Sequence, residues 1–427
     1  MSDKTKERIV LALQLFVGAV FVFSGFVKAV DPLGGLYKIT DYLNAFHWDA
    51  LKVLGFSGMT IMSAVEFVLG VGLLLGIQKK IVTLGTLAFM VFYTPLTLYL
   101  AIANPVSDCG CFGDALVITN WQTFWKNVIL LAAVVLIWEW LGYSKRGFCK
   151  KAEWAVLGYT FVFSLIISVY CFQNLPIMDF RPYRIGANIQ EGMSYPEGAK
   201  KDSIRTTFIY EKNGVKQEFN MQNYPKDTSW HFVDSKNEIV EKGYEPPIHD
   251  FVLNHSDDGD ITDLVLEDTN YVFLLVAHNL TEFNIVTNPG GCHYDNSEKV
   301  NSAYEYAHAH GYKFYCLTAT SEGTEEMNSY LAATNAKYEY LNADEIMLKT
   351  IIRSSPGLMI IKKGTVVNKW ALKNIPTFSE PLDSCEAGQM KIPNNKLTTL
   401  FIALLYLIPL GVGYIFSKKR NKECEKA

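Results

Sequence analysis

Long apolar runs constrain this chain more than any other feature. Each run carries few charges and approaches the roughly 20 residues that a helix needs to cross a bilayer core. We therefore predict six transmembrane helices, five of them in the first half of the chain. They cover residues 9–27, 58–77, 81–103, 124–141, 154–174 and 397–416.

Composition supports a membrane protein and excludes one class of partner. Of the 427 residues, 49% are hydrophobic and 19% are charged, whereas soluble domains carry about 25% charged residues. The net charge of -4 provides no basic field for a nucleic acid, so we expect no nucleic-acid partner. Eight cysteines in this length are too sparse for a disulfide scaffold, so their positions matter more than their number.

Basic residues predict the orientation in the membrane. Cytoplasmic helix ends are enriched in lysine and arginine, and six crossings bring four basic clusters to one side. These clusters are Lys4, Lys6 and Arg8; Lys79 and Lys80; Lys145, Arg146, Lys150 and Lys151; and Lys418, Lys419 and Arg420. We therefore expect a bacterial inner-membrane protein with both termini in the cytoplasm. The large segment 176–396 would then lie in the periplasm, where disulfides persist.

The chain divides into four predicted parts. The first boundary lies at Pro176, where long apolar runs give way to a mixed polar and apolar sequence. The parts are a helical membrane domain at 1–175, a small β-rich connector at 176–247, an α/β domain at 248–390, and a C-terminal transmembrane anchor with a basic tail at 391–427. An amphipathic helix within 31–57 is expected to lie on the bundle, because its apolar residues recur at helical spacing.

Alternating strands and helices define the predicted α/β domain. Residues 271–277 are almost wholly apolar, as expected for a strand that is buried on both faces of a sheet. A short strand at 249–253 precedes it, and a hairpin closes the domain. In the connector we predict strands at 205–220 and 230–240, with a turn at Asn213-Gly214.

Two cysteines one residue apart, Cys109 and Cys111, lie in a short loop between the third and fourth predicted helices. A disulfide across a single residue closes a very small ring and departs from relaxed geometry. Strained, exposed disulfides tend to be labile and catalytic, and Gly110 permits the unusual backbone that such a ring needs. The start of the next helix would favour a thiolate. Three interpretations stay open: a redox pair, a structural staple, and a metal site, although zinc would need about four ligands.

Two ionisable residues accompany the cysteine loop. Glu66 lies inside the second predicted helix, and Lys28 lies at the outer end of the first. Ionisable groups within a membrane are costly, and they are usually functional or paired. Glu66 is either a proton acceptor for the thiols or a buried residue that tightens packing. Lys28 either pairs with Glu66, stabilises a thiolate, or extends to the interface as lysines near helix ends commonly do.

The segment from about residue 9 to residue 141 resembles the DoxX/MauE group of small bacterial membrane proteins. The features that carry the resemblance are Ser24-Gly25-Phe26-Val27-Lys28, Asp31-Pro32, Glu66, and Asp108-Cys109-Gly110-Cys111-Phe112-Gly113. The resemblance implies a role in periplasmic disulfide chemistry during the maturation of partner proteins. The cysteine loop is its most specific part.

The segment from about residue 248 to residue 380 resembles a thioredoxin-fold domain of the TlpA type. The resemblance is carried by Asp250-Phe251-Val252-Leu253, by the turn at Asp258-Gly259-Asp260, and by Ser355-Pro356 in the position of a cis-proline corner. The Cys-x-x-Cys of that family should follow the strand at 271–277, but residues 278–283 hold no cysteine. The resemblance therefore implies a thioredoxin-like domain that binds or presents a partner and lacks the usual redox centre.

Three further cysteines lie in the part expected outside the membrane. Cys292 precedes His293 in a glycine-rich loop, a setting that can favour a thiolate. It would exchange with Cys111 if the domain folds over the bundle. Cys316 lies on an apolar strand and is expected in the core. Cys385 either stays free or pairs with another outer cysteine.

Two functions stay open. In the first, the chain is a thiol–disulfide oxidoreductase in which Cys109 and Cys111 cycle between dithiol and disulfide, with Glu66 and Lys28 assisting. Its partner would be a periplasmic thiol-containing protein or another envelope protein, and a membrane quinone is the candidate electron acceptor. In the second, the bundle is a scaffold without enzyme activity and the outer domain is a binding module, which the missing Cys-x-x-Cys favours. Few polar residues within the helices make a transporter a weaker third option.

Overall fold

A computed structural model of the chain describes residues 1–106, 108–144, 148, 150–200, 203–212, 215–220, 223, 229–241, 243–379, 382 and 395–424. The N-terminal part is helical: α1 (Asp3–Val30), α2 (Pro32–Ala45), α3 (Gly55–Leu75), α4 (Lys79–Ala103), α5 (Asn120–Glu139) and α6 (Lys150–Gln173). Five of these helices, all except α2, are long and apolar enough to cross a membrane. They match the first five predicted spans to within a few residues.

Glycines bring α1 and α3 into close contact. A Cβ atom added to Gly25 would lie 2.6 Å from the backbone nitrogen of Phe67, and one added to Gly70 would lie 2.5 Å from that of Val22. Small residues at helix crossings allow backbones to approach closely in membrane bundles. This contact places the end of α1 beside the middle of α3, where Glu66 lies.

One end of the bundle brings two of the predicted basic clusters to the connection from α5 to α6. The Nζ atom of Lys79, at the start of α4, donates to the carbonyl oxygen of Ser144 at 2.9 Å. The Nζ atom of Lys6, in the first turns of α1, donates to the hydroxyl of Tyr143 at 3.4 Å. The connection from α5 to α6 therefore meets the beginnings of α1 and α4. The cysteine loop and α2 lie at the opposite end.

A short helix and a small sheet follow the bundle. The helix is α7 (Ile189–Met193), and the sheet contains β1 (Ser203–Lys212), β2 (Val215–Asn220) and β3 (His231–Glu241) in the antiparallel order β2-β1-β3. The predicted strand at 205–220 therefore comprises β1 and β2. The predicted turn at Asn213-Gly214 lies outside the described residues.

The C-terminal α/β domain is built on a seven-stranded sheet. Its elements are β4 (Asn254–His255), β5 (Gly259–Asp260), α8 (Thr262–Leu266), β6 (Tyr271–Val276), α9 (Ser297–Ala309), β7 (Lys313–Thr318), α10 (Glu325–Thr334), β8 (Glu339–Asn342), α11 (Glu345–Ile351), β9 (Gly357–Lys362) and β10 (Thr365–Ala371). The strand order is β10-β9-β6-β7-β8-β4-β5. Strand β6 runs parallel to β7 and antiparallel to β9. All residues of β6 are buried, as its apolar sequence predicts.

One predicted strand is wrong. Residues 249–253 form no strand, and the neighbouring β4 has only two residues. The alternation that suggested a strand arises because Phe251 and Leu253 are buried in the core beneath the sheet. The backbone nitrogen of Leu253 bonds to the hydroxyl of Thr262 instead of to a strand.

A buried charge cluster attaches the chain segment after α6 to the sheet. The carboxylate of Asp179 lies 2.8 Å from Arg181 Nε and 2.5 Å from Lys369 Nζ, on β10. Burial alone would raise the pKa of Asp179, but the two cations hold it well below its usual value. Burial lowers the pKa of Lys369 to about 8 against the attraction of Asp179. The domain is thus fixed to the chain just beyond the membrane helices.

The sixth predicted span lies within the last helix, α12 (Asn395–Cys424), whose described apolar part is the shorter segment Leu400–Ile415. It packs along α6, where the hydroxyls of Tyr406 and Thr160 are 2.8 Å apart. Near its other end Tyr414 packs against Phe148. Cys385, whose pairing the sequence leaves open, lies outside the described part of the chain.

Candidate functional site at the cysteine loop

Two glycines shape the loop between α4 and α5. Gly110 and Gly113 have φ angles of +65° and +50°, which favour glycine over other residues. A Cβ atom on Gly110 would also approach the side chain of Lys38 to 3.2 Å. The next helix begins with a capping box between Thr119 and Gln122. The turn at the cysteines and the end of the loop at α5 therefore follow from local sequence.

The two cysteines are adjacent free thiols that are partly buried. Their Sγ atoms are 2.8 Å apart. The hydrogen bond with the Cys109 thiol, together with the ammonium groups of Lys126 and Lys28, lowers the pKa of Cys111 against the effect of burial. The same hydrogen bond, with burial, raises the pKa of Cys109. The pair is therefore asymmetric, and Cys111 is the thiol that ionises first.

Beneath Cys111 lies a small cavity of about 30 Å³ inside the bundle. Glu66 and Lys28 line it and form an ion pair of 2.7 Å with little solvent exposure. Lys28 also donates to the hydroxyl of Ser24 at 3.0 Å, and that hydroxyl donates to the carbonyl oxygen of Cys111 at 2.7 Å. The pairing expected between Lys28 and Glu66 is confirmed, and it lies directly against the loop.

Lys126 is a further residue of the site that was not predicted from the sequence. It lies on α5, lines the same cavity, and holds its Nζ atom 4.3 Å from the centre of the Phe112 ring. The available signal was a charged residue within the predicted fourth span. Such residues are functional or paired more often than not.

Helix α2 covers the outer side of the loop. The Tyr42 hydroxyl donates to the carbonyl oxygen of Cys109 at 2.9 Å. Lys38 Nζ lies 2.6 Å from Asp108, whose other oxygen accepts from the backbone nitrogen of Gly110 at 2.8 Å. The amphipathic helix predicted within 31–57 therefore exists and contacts the cysteine loop.

The α/β domain also contacts the loop, through Arg353. This buried guanidinium lies 2.7 Å from Asp114, at the end of the loop, and 3.0 Å from Asp31, between α1 and α2. It also donates to the carbonyl oxygen of Lys349 and lies over the ring of Tyr37. Arg353 comes directly after α11, two residues before Ser355-Pro356. The domain is thus in direct contact with the bundle end that holds the cysteines.

A cleft of about 470 Å³ opens between the bundle and the α/β domain. The residues that form it are Leu33 and Tyr37 of α2, Phe172, Gln173 and Asn174 at the end of α6, Phe283 and the loop residues Pro289, Gly291, His293, Asp295 and Asn296, and Arg353, Ser354, Ser355, Ala371, Leu372 and Lys373. The rings of Phe283 and His293 stack at 4.1 Å in its wall. Arg353 therefore lies in the wall of a cleft that is open between the two parts of the chain.

The helical half of this arrangement matches a known family. Residues 6–139 match the family model of the methylamine utilisation protein MauE. The match ends with α5 and includes the cysteine loop, Glu66 and Lys28, so the MauE part of the expected resemblance is confirmed. Residues 204–242 match a domain of unknown function (DUF8463) that corresponds to the three-stranded sheet. No curated protein and no solved structure matches the chain.

Beyond the MauE-like region, the position after β6 holds a histidine. His278 is fully buried, donates from its ring to the carbonyl oxygen of Ile352 at 3.0 Å, and receives a ring-edge contact from Tyr37. Burial lowers the pKa of His278 to about 3, so the imidazole is neutral. The peptide bond between Ser355 and Pro356 is cis, as the sequence predicts.

The two described cysteines of the α/β domain, Cys292 and Cys316, are core residues. Cys292 is fully buried, and burial raises the pKa of its thiol well above the usual value. The predicted exchange between Cys292 and Cys111 is therefore wrong, because an inaccessible neutral thiol is a poor nucleophile. Cys316 is buried on β7, as predicted. Within the described residues, no cluster of three or more His, Cys, Asp and Glu side chains has the geometry of a metal site.

Proposed function

We propose that this chain is an integral membrane thiol–disulfide redox protein whose MauE-like region cycles Cys109 and Cys111 between dithiol and disulfide. The observation that carries the proposal is the contact of the two thiols at 2.8 Å beside two ammonium groups. A thiolate is the reactive form of cysteine, and nearby cations stabilise it. The MauE match supports an association with maturation of another protein.

The asymmetry of the pair assigns the order of events. A partner thiolate attacks the sulfur of Cys109, the bond between Cys109 and Cys111 breaks, and its electron pair leaves on Cys111. Cys111 is the better leaving group because the thiol of lower pKa leaves faster. A second partner thiol then displaces Cys109, which forms the partner's disulfide and leaves both loop cysteines reduced.

Three ionisable groups would assist at Cys111. Lys126 and Lys28 stabilise the departing thiolate, since both lower the pKa of Cys111. Glu66 holds Lys28 in place and, through the shared cavity, can accept a proton when the pair is reoxidised. Charges within a membrane bundle are costly without such a role.

The proposed location is the inner membrane of a bacterium, with the cysteine loop and the α/β domain in the periplasm. The basic residues at the opposite end of the bundle support this orientation. The contact of Arg353 with Asp114 supports a shared compartment for the loop and the domain. Oxidising conditions there would let the disulfide persist.

We propose that the α/β domain is thioredoxin-like and presents a partner to the loop. The central parallel pair β6–β7 and the antiparallel neighbour β9 support this fold. His278 stands where a redox cysteine would follow β6, and Cys292 and Cys316 are buried. The domain thus supplies a binding surface, which includes the cleft beside Arg353, and the bundle supplies the thiols.

The Cys111→Ser variant tests the proposed chemistry. The remaining loop cysteine is first activated as a mixed disulfide with thionitrobenzoate, which a partner thiolate displaces. Because Cys111 is then absent and cannot displace the partner, the disulfide between Cys109 and its partner should accumulate as a band sensitive to reductant. Cys109→Ser, the matched control, should trap far less, because Cys111 faces the interior cavity. Equal trapping by both variants would contradict the assigned order, and trapping by neither would contradict the proposed function.

A scaffold without enzyme activity is the second candidate function. The observation in its favour is the absence of an accessible cysteine among the described residues of the α/β domain. The double variant Cys109→Ser/Cys111→Ser separates the two functions. Full complementation of a deletion strain by this variant would support the scaffold, whereas loss of complementation at normal protein levels would support the redox function.

A further inference from the structure

A lateral groove opens on the outside of the bundle, between α1 and the first turns of α5. Its volume is about 450 Å³, and its lining residues are Phe16, Trp121, Gln122, Trp125, Lys126 and Ile129. Trp121 and Trp125 are 50% and 59% exposed. Because both helices are long and apolar enough to cross a membrane, the groove would open directly to lipid.

Lys126 joins this groove to the cysteine pair. Its side chain lines both the groove and the small cavity that contains Cys111 and Phe112. Within the described part of the chain, no carboxylate forms an ion pair with this ammonium, and the ring of Phe112 is the contact it makes. A charged group in the apolar layer is costly when no partner compensates it. The groove therefore offers a hydrogen-bond donor to a ligand that carries an oxygen acceptor.

The proposed cycle requires an electron acceptor that can reoxidise the two thiols. Each return of Cys109 and Cys111 to the disulfide releases two electrons and two protons. A lipid-soluble carrier of two electrons and two protons meets this requirement, and quinones are the membrane carriers that oxidise disulfide systems in this way. A flat ring with carbonyl oxygens also suits a groove that combines tryptophan faces with one ammonium group.

We propose that this groove binds the ring of an isoprenoid quinone, with Lys126 donating to a ring oxygen and Trp121 and Trp125 packing against the ring. The inference rests on the proposed redox function and names its electron acceptor. In the step, Cys111 first loses its proton to Glu66 or solvent, the Cys109 S–H bond then breaks, and the bond between the two sulfurs forms. The two electrons pass to the quinone, which takes up the proton of Cys109 and one proton from solvent to become quinol, and the isoprenoid chain extends into the lipid.

Anaerobic quinone reduction by the full-length protein in lipid nanodiscs tests the reaction. Reduced protein is mixed with ubiquinone-1 or menaquinone-1, and quinol and disulfide are measured together. We expect one quinol for each disulfide with at least one of the two quinones, and either preference supports the proposal. Lys126→Met should slow the reaction about tenfold or more, as expected for the loss of a charged hydrogen-bond donor.

Tryptophan variants separate quinone binding from general damage to the bundle. Trp125→Leu should raise the KM for quinone and change kcat little, because the ring contributes packing and not proton or electron transfer. Trp154→Leu is the matched control, since Trp154 is also exposed, at 55%, but lies on α6 away from the groove. An equal rise in KM for both variants would contradict a site at Trp125.

A binding measurement makes the outcome independent of the thiols. An azidoquinone should label residues 121–129 in the Cys109→Ser/Cys111→Ser variant, and excess ubiquinone-1 should compete. Labelling elsewhere would overturn the assigned site. Wild-type protein that exchanges disulfides with glutathione but is oxidised by neither quinone would overturn this inference and leave the proposed function standing. A pair that exchanges with neither glutathione nor quinone would overturn both.

Discussion

At the residue scale, the central feature is the unequal environment of two neighbouring thiols. Cys111 faces Lys126 and Lys28 within the bundle, and Cys109 lies under the hydroxyl of Tyr42. When the two cysteines of a disulfide differ in thiol pKa, an attacking thiolate preferentially displaces the sulfur of lower pKa, because that sulfur is the better leaving group. In the proposed cycle, the environment of the loop would therefore select Cys109 as the cysteine that receives the partner.

Alkylation of the reduced protein should report this inequality. The rate of modification of Cys111 by iodoacetamide should rise with pH around a midpoint well below that of an ordinary cysteine, because only the thiolate reacts and the pKa of Cys111 is lowered. Cys109→Ala removes the largest cause, the hydrogen bond from the neighbouring thiol. Hydrogen bonds to charged groups contribute about 1.5–3 kcal/mol, so the midpoint should rise by about one to two pH units.

Cys316→Ala is the matched control for that measurement, since Cys316 is buried far from the loop and should not react. Its removal should leave the pH profile of Cys111 unchanged. A midpoint near 8.5, the value of an ordinary cysteine, would contradict the proposed stabilisation of the thiolate.

The members of the site were predictable to different degrees. Cys109, Cys111, Glu66 and Lys28 stood out because cysteine spacing and charge within an apolar run are visible in the chain itself. Lys126 carried the same signal but lies between tryptophans near a helix end, where lysines are common. Arg353 could not be predicted, since its partners Asp31 and Asp114 become neighbours only through tertiary contact.

At the scale of elements, Arg353 connects the α/β domain to the bundle. Only 7% of its side chain is exposed, and it faces carboxylates from two different connections of the helical region. Removing one partner of a buried ion pair leaves an uncompensated charge and costs about 3–5 kcal/mol. The docking of the domain over the loop therefore depends strongly on this residue.

Arg353→Met should loosen that docking. Hydrogen exchange of α2 and of residues 108–114 should increase, because Asp31 and Asp114 lose their buried cation. Lys313→Met is the matched control: it also breaks an ion pair of the α/β domain, with Asp268, but that lysine is 41% exposed. Such pairs contribute about 0–1 kcal/mol. Unchanged exchange in Arg353→Met would contradict a docking role for this residue.

Most elements followed from local pattern, and the exceptions have physical reasons. Apolar runs predicted α1, α3, α4, α5 and α6 because a bilayer demands long uncharged helices. Strand β6 was predicted because both of its faces are buried. The strand expected at 249–253 failed because alternating burial there comes from core packing, not from sheet pairing. The extent and order of the sheet depend on contacts between distant segments and left no local signal.

At the scale of the whole molecule, the proposed function requires one definite orientation of the chain across the membrane. Basic segments gather at one end of the bundle, and the cysteine loop, α2 and the α/β domain meet at the other. With the proposed quinone groove on the side of the bundle, a partner's electrons would enter at the outer end and leave into the lipid. This path fails if the loop faces the cytoplasm.

Labelling of intact spheroplasts with a membrane-impermeant maleimide, followed by mass spectrometry, tests the redox function and the sidedness together. The account predicts that Cys109 and Cys111 are labelled from outside, that part of the population is labelled only after an impermeant reductant is added, and that this fraction changes with the supply of quinone. Labelling that requires lysis, or a pair that stays in a single oxidation state under every growth condition, would contradict the account.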